Sequence, residues 1–337
     1  MKLNLEQIKT ITQGAVRISE DSEGIHFYRF TKEQEELYRE ADAGHYLRTF
    51  ATAGIKFVFK TDSKKLFLSS LVKTINTRSF FSFDVLVNDV YVGSIDNYSG
   101  VELPDNYTEE KLPYGDFEKE FDLGEGVKLV KVHLPYAAIG IVKEVSLDDG
   151  AFIEPVEMKK KVLVFGDSIT QGYDALHTYK RYAARIADSL EAEEMNKAIS
   201  GEFFFPPLAE TDDDFEPDYV TVAYGTNDWS KTKREDFQRK SKAFYTSLSK
   251  KYPNAKIFGI TPIWRKDYQE YREFGLFEDM INDTVKAVEG LENVTLIHGF
   301  DMVPKEPKYF GDLRLHPRDE GFDHYFENLN KEIQKYL

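Results

Sequence analysis

The stretch VLVFGDSITQGYD, Val162 to Asp174, runs four apolar residues into Gly-Asp-Ser and then into polar residues broken by a second glycine. An apolar run without alternation reads as a strand buried on both faces, as in a parallel sheet covered by helices. In such sheets ligands bind beyond the carboxyl ends of the strands. Ser168 is therefore presented at the reactive edge, near the start of the next helix, where backbone N–H groups face an incoming anion. Two plainer readings stand beside this one. Asp or Ser ahead of a helix is an ordinary N-cap, and a phosphate-cradling loop would need G-x-x-x-x-G-K-[ST] or G-x-G-x-x-G, neither of which the glycines fit.

From Lys159 onward the chain repeats strand, loop, helix. EEMNKAI, YVTVAY, KIFGIT and VTLIHG follow VLVF as further buried strands. Between the first two lies HTYKRYAARIADSLEA, whose Tyr179, Tyr182, Ala183, Ile186, Ala187 and Leu190 recur at helical spacing. FQRKSKAFYTSLSKKY, FGLFEDMINDTVKAVEGL and EGFDHYFENLNKEIQKYL repeat the pattern, which predicts an α/β domain with a parallel sheet and right-handed crossovers. Up to Pro155 the chain instead carries short strands, among them GIKFVFKTD, KLFLSSL and VKLVKVHLP, with an Asn88-Asp89 hairpin signal in VLVNDVYVG. That half predicts an antiparallel β-sandwich, interrupted by TKEQEELYREADAG from Thr31, which is helical or irregular. At 337 residues the chain exceeds one ordinary core. The expected division is a sandwich over residues 1–155 and an α/β domain over 156–337.

With 44 Lys and Arg against 59 Asp and Glu, the chain carries a net charge of -15. Such a charge repels polyphosphate and anionic membrane, so neither nucleic acid nor membrane is an expected partner. The absence of cysteine removes disulfides, thiol nucleophiles and Cys-ligated metals. MKLNLEQIKTITQG lacks the pattern of a secretory signal, and no segment has the apolar length of a membrane span, so a cytoplasmic protein is expected. Asp212 to Asp214 reads as a solvated acidic loop rather than a metal site, and no cofactor is implied.

The residues just after each strand carry the remaining signals. Ser200-Gly201 follows the second strand, where a glycine permits close approach or a sharp turn. Gly225-Thr226-Asn227-Asp228 follows the third, and Asn227 can project an amide toward the same edge; a plain turn is the alternative. His316 stands before Pro317 and the last helix, beside a carboxylate able to orient an imidazole. The other histidines, His26, His45, His133, His177 and His324, read as packing or surface, with His298 at a strand end held in reserve.

Serine, glycine, asparagine and histidine at successive strand ends resemble the SGNH hydrolases, also called GDSL-type esterases and lipases. The matching blocks are GDSIT at Gly166 to Thr170, NKAISG at Asn196 to Gly201, GTND at Gly225 to Asp228, and His316-Pro317. The resemblance implies a flavodoxin-like three-layer domain and metal-independent acyl transfer to water. Ser168 would be the nucleophile and His316 its base, with the oxyanion met by the Ser168 and Gly201 N–H groups and the Asn227 amide. The family usually places an Asp three residues before the histidine, a position held here by Leu313. Asp312, four before, is the candidate acid if the loop bulges by a residue; otherwise the site is a Ser/His dyad.

The first half is similar to the N-terminal jelly-roll domains of carbohydrate esterase family 2 and of related two-domain acyl-transferring enzymes. That resemblance implies an acylated saccharide or another small polar ester as substrate, with the sandwich as a wall, a lid, a saccharide platform or a structural cap. Asp167, Trp264 and Arg265 are the candidate substrate contacts, with core packing the alternative for Trp264 and a loop ion pair for Arg265. Acyl transfer to an acceptor other than water, and saccharide binding without turnover, are the competing functions.

Overall fold

The computed structural model describes every residue of the chain except Asp214. Its first part runs α1 (Leu5–Ile11), β1 (Thr12–Gln13), β2 (Arg17–Glu20), β3 (Ile25–Tyr28), α2 (Lys32–Ala41), α3 (Ala43–Thr49), β4 (Lys56–Thr61), β5 (Lys65–Thr74), β6 (Ser82–Val87), β7 (Val90–Asp96), β8 (Gly115–Asp122), β9 (Lys128–His133), β10 (Ala138–Leu147) and β11 (Glu154–Pro155). Its second part runs β12 (Lys160–Gly166), α4 (Ser168–Gln171), α5 (Tyr182–Ser189), β13 (Ala192–Asn196), α6 (Pro206–Glu210), β14 (Tyr219–Ala223), α7 (Thr226–Lys231), α8 (Arg234–Lys251), β15 (Lys256–Ile260), α9 (Phe277–Val288), β16 (Val294–Ile297) and α10 (Asp319–Ile333).

The first part forms two antiparallel sheets. One has the order β1-β4-β9-β6-β7, with β11 also on β4, and the other has the order β2-β3-β10-β5-β8. Alternate residues of β5 point inward, and Phe57, Phe59, Leu66, Leu68, Phe83, Val130 and Val132 fill the space between the sheets. Asn88 and Asp89 close the β6–β7 hairpin with φ of 49° and 65°. Positive φ at both turn residues matches the twist of the flanking strands.

The second part is a parallel sheet in the order β13-β12-β14-β15-β16. This is the flavodoxin-like 2-1-3-4-5 order, whose switch point lies at the carboxyl end of the first strand. Val162, Leu163, Val164 and Phe165 of β12 are buried on both faces. Ser168 follows directly at the switch point, at the start of α4.

The helical interruption in the first part turns out to serve the second. Phe30 and Tyr38 pack in one core with Leu163, Phe165, Met195 and Phe204, and Thr31 with Gln34 forms a capping box at the start of α2. Asp213, read from sequence as solvated, is instead 2% exposed. It accepts from Gln34 at 2.9 Å and pairs with Lys197 at 2.8 Å. The apolar packing of α2 against this side closes the loop over the carboxylate; the last residue of that acidic stretch, Asp214, lies outside the described residues.

One buried cation links the two parts. Arg29, 1% exposed, donates to Ala51 O at 2.7 Å and Arg48 O at 3.2 Å on one side, and to Asn196 O at 2.8 Å and Ala198 O at 3.0 Å on the other. A second contact joins Asp84 on β6 to the Tyr179 N–H at 3.0 Å. Its other carboxylate oxygen lacks a partner among the described residues. Burial pushes the Asp84 carboxyl up to about 7, opposed by His177 and the Tyr179 N–H and reinforced by Asp319.

Replacing Arg29 strands buried carbonyls on both sides, so Arg29→Met should cost about 3 kcal/mol of stability, read as a lowered urea midpoint. Asp84 binds its proton more tightly when folded than at its unfolded value near 4. Its stabilising contribution is therefore complete below that value and lost as pH rises through about 7. Between pH 5 and pH 8 the urea midpoint of Asp84→Asn should accordingly rise relative to wild type.

Candidate active site

Ser168, Asp312 and His316 meet although 148 residues separate the serine from the histidine. The Ser168 Oγ lies 2.8 Å from His316 Nε2, and His316 Nδ1 lies 2.8 Å from Asp312 Oδ2. With Asp312 ionised, Nδ1 carries the proton and Nε2 presents its lone pair to the serine hydroxyl. The four-residue spacing is absorbed locally. Leu313 adopts φ of 57°, and Asp312 Oδ1 accepts from the N–H groups of Arg314, Leu315 and His316 at 2.9, 2.7 and 3.1 Å. Burial works against the Asp312 charge, but the hydrogen bond from His316, its charge and these N–H groups hold the carboxyl well below the usual carboxylate range. Gly311 lets this loop come close, because a β-carbon there would stand 2.6 Å from Asp174 Cβ and 2.7 Å from the Tyr107 hydroxyl.

A second carboxylate, unnoticed in the sequence, stands behind the imidazole. Asp174 ends the opening stretch itself, is fully buried, and has Oδ2 3.8 Å from His316 Nδ1. It is committed to Arg78 of the β5–β6 connection, whose Nε donates to Oδ1 at 2.6 Å. Burial pushes the Asp174 carboxyl up against the pull of His316 and Arg78. Asp174, Asp312 and His316 offer ligand atoms within 4.8 Å of one another, but the Arg78 guanidinium already brings positive charge to this cluster. The hydroxyl of Tyr107 holds Asp174 O at 2.5 Å, and that of Tyr136 holds Ala175 O at 2.6 Å. Sandwich residues thus line the back of the site.

Gly201 and Asn227 lie at the neighbouring strand ends. Gly201 has φ of 83°, and a β-carbon there would meet Arg48 Nη1 at 3.1 Å and His45 Nε2 at 3.7 Å. Among the described residues, neither the Ser168 nor the Gly201 N–H has an acceptor in the protein. Asn227 donates one amide hydrogen to Glu202 O at 3.0 Å, leaving the other free to point elsewhere. Beneath this edge Glu202 is buried, accepting from Tyr38 at 2.5 Å and Tyr224 at 3.2 Å. Burial pushes its carboxyl well up.

The three expected substrate contacts are all buried. Asp167 caps α4 through Ile169 N–H at 3.0 Å, and burial raises its carboxyl to about 6. Trp264 is 6% exposed and packs on Phe310 with ring centres 5.1 Å apart. Arg265 closes a loop ion pair with Asp267 at 2.6 Å and spends its remaining donors on Thr226 and Ser230. Arg48, Arg78, His45 and Asp174 are the site neighbours that sequence reasoning missed. Only Asp174, six residues past the serine, carried a positional signal.

Residues 164–324 match the model of the GDSL-like Lipase/Acylhydrolase family. No curated protein sequence matches the chain. Among solved structures, a salicylyl-acyltransferase from a tetracycline biosynthetic pathway superposes with a TM-score of 0.77 at 19% identity, covering 96% of this chain and 94% of that one. A family two carbohydrate esterase from Clostridium thermocellum, solved with cellohexaose, gives 0.65 at 17% identity over 97% and 99% of the two chains. An acetyl xylan esterase from Butyrivibrio proteoclasticus gives 0.58 at 14% identity over 86% and 92%. These likenesses establish a shared fold across both parts of the chain. The strand-end blocks, the sheet order and the matched residues 164–324 together make the α/β half of this chain similar to the GDSL-like lipases and acylhydrolases, the SGNH hydrolases, set behind a β-sandwich in a fold shared with a family two carbohydrate esterase.

Proposed function

We propose that this protein is a serine esterase that removes a short acyl group, acetyl above all, from a saccharide or another small polar alcohol, in an α/β domain that begins at residue 156. The observation that carries the reading is the line from Ser168 Oγ through His316 to Asp312, with 2.8 Å at each step. The Ser168 hydroxyl attacks the ester carbonyl as its proton passes to His316 Nε2, and Asp312 holds the Nδ1 proton and stabilises the imidazolium. Charge on the tetrahedral oxygen is met by the N–H groups of Ser168 and Gly201 and the free amide hydrogen of Asn227. Each such donor is worth about 3 kcal/mol in the transition state. Collapse expels the alcohol, which takes the proton from Nε2 and leaves the acyl group on Ser168. Water then attacks the acyl-enzyme, gives a proton to His316, and the acid departs as Ser168 recovers its hydrogen.

A second reading, transfer of the acyl group to an acceptor other than water, uses the same residues up to the acyl-enzyme. It is supported by the likeness to the salicylyl-acyltransferase. Product analysis with and without candidate alcohols and amines separates the two.

Wild-type protein should hydrolyse 4-nitrophenyl acetate and gain one acetyl group on Ser168 by intact mass, and Ser168→Ala should do neither. Absence of turnover and of adduct in wild type would refute the esterase. Asp312→Asn should lower kcat by about two to four orders of magnitude, with His316→Ala at least as severe. Asp174→Asn should cost far less, because its carboxylate serves Arg78; equal losses from both would reassign the imidazole's partner.

A further inference from the structure

The rim beside Ser168 is walled by the sandwich half, and several buried polar atoms on that wall lack partners among the described residues. Arg48 on α3 donates Nη1 to Ser200 O at 2.6 Å, and the same nitrogen would stand 3.1 Å from a β-carbon on Gly201. Its Nε is buried without an acceptor among the described residues. No described carboxylate lies within salt-bridge distance of the guanidinium, and neighbouring Asp42 is turned to the His45 N–H at 2.7 Å. Arg78, by contrast, is neutralised by Asp174. Arg48 therefore places a positive charge with no salt-bridge partner among the described residues beside Gly201.

Two hydroxyls share that corner. Tyr173 is 2% exposed, and its ring lies 5.9 Å from that of His316. Among the described residues, neither its hydroxyl nor Thr77 Oγ1 in the β5–β6 connection makes a well-formed hydrogen bond. Ser200 and Thr77 lie close enough to the Tyr173 hydroxyl for weak hydrogen bonding, and the hydroxyl feels the charges of both Arg48 and Arg78. Arg48 from α3 thus reaches Ser200-Gly201 with one donor still unmet among the described residues, and the Tyr173 hydroxyl, beside Ser200 and Thr77, lies at the same corner. Buried polar groups are ordinarily paired, so an unpaired set marks a place where something else supplies the acceptor. A saccharide hydroxyl would satisfy the hydrogen bonds and leave the charge unmet. A carboxylate meets both, since its two oxygens accept from a guanidinium and from hydroxyls together.

We propose that the ester accepted by this protein carries a carboxylate, bound by Arg48 with the hydroxyls of Tyr173 and Thr77 beside the acyl centre at Ser168. The proposal rests on the esterase reading and names its substrate class. The test compares kcat/KM for matched esters. Mono(4-nitrophenyl) glutarate against 4-nitrophenyl valerate places the carboxylate on the acyl side, and 4-acetoxybenzoate against its methyl ester places it on the alcohol side, with non-enzymatic rates subtracted. Wild type should prefer the charged ester of one pair by about tenfold or more, mainly through KM. Arg48→Gln should erase that preference, and Thr77→Val and Tyr173→Phe should each reduce it. The conservative pair carries the test if Arg48→Gln does not fold. Turnover of the neutral esters with no preference in either pair, or a preference that survives these substitutions, would overturn the proposal and leave the esterase standing. Failure to turn over any of the four esters would overturn both.

Discussion

A guanidinium cannot be buried without acceptors, and Arg29 finds its acceptors on two elements far apart in the chain. Burial lowers its pKa only to about 9, so it stays charged at neutral pH and requires both sets of carbonyls. One set ends α3, and the other follows β13 and leads into Ser200-Gly201. The same contact therefore sets where the sandwich sits and how a strand-end loop is held. Arg48, three residues before Ala51, inherits its position from this peg. The packing of Phe30 and Tyr38 into the α/β core surrounds it with apolar material, which excludes the water that would otherwise compete for the same carbonyls.

The line from Ser168 to Asp312 shows how a loop can hold a charge that burial disfavours. Asp312 is saturated by three N–H groups and the imidazole, while Asp174, only slightly farther from His316, is given over to Arg78. Two carboxylates near one imidazole thus carry different duties, set by their other partners rather than by distance alone. Glu202, buried below the edge, is pushed toward its neutral form, which would lessen the repulsion it exerts on an oxyanion in the proposed reaction.

Much of this was legible in the sequence because the relevant signals are local. VLVF announces a doubly buried strand, and a serine that follows it must arrive at the sheet edge. Glycine, asparagine and histidine after later strands arrive at the same edge by the same rule. The sandwich strands were equally readable from alternation and the Asn88-Asp89 turn. What escaped was contact between distant parts. Nothing in TKEQEELYREADAG says that its helices pack on the α/β core, or that Arg48 just beyond it reaches Gly201, because neither periodicity nor composition encodes which surface an amphipathic helix will find. Asp213 was misread for the same reason: its buried partners, Gln34 and Lys197, lie about 180 and 16 residues away. Asp312 was legible as the candidate acid on condition of a one-residue bulge, and Leu313 turning left-handed is the local feature that its reach depends on.

The pocket wall and the reacting groups come from different stretches of the chain. The loops after the parallel strands hold Ser168, Gly201 and Asn227, and the loop before α10 holds His316, whereas Thr77, Arg78 and Arg48 hang from the sandwich and its helical insert. Loops tolerate exchange far better than buried strands do. Descent with modification can therefore rewrite what the cleft admits by altering one short connection and one short helix, while the sheet edge beneath keeps its geometry; the appended sandwich acts as an interchangeable faceplate on a fixed engine.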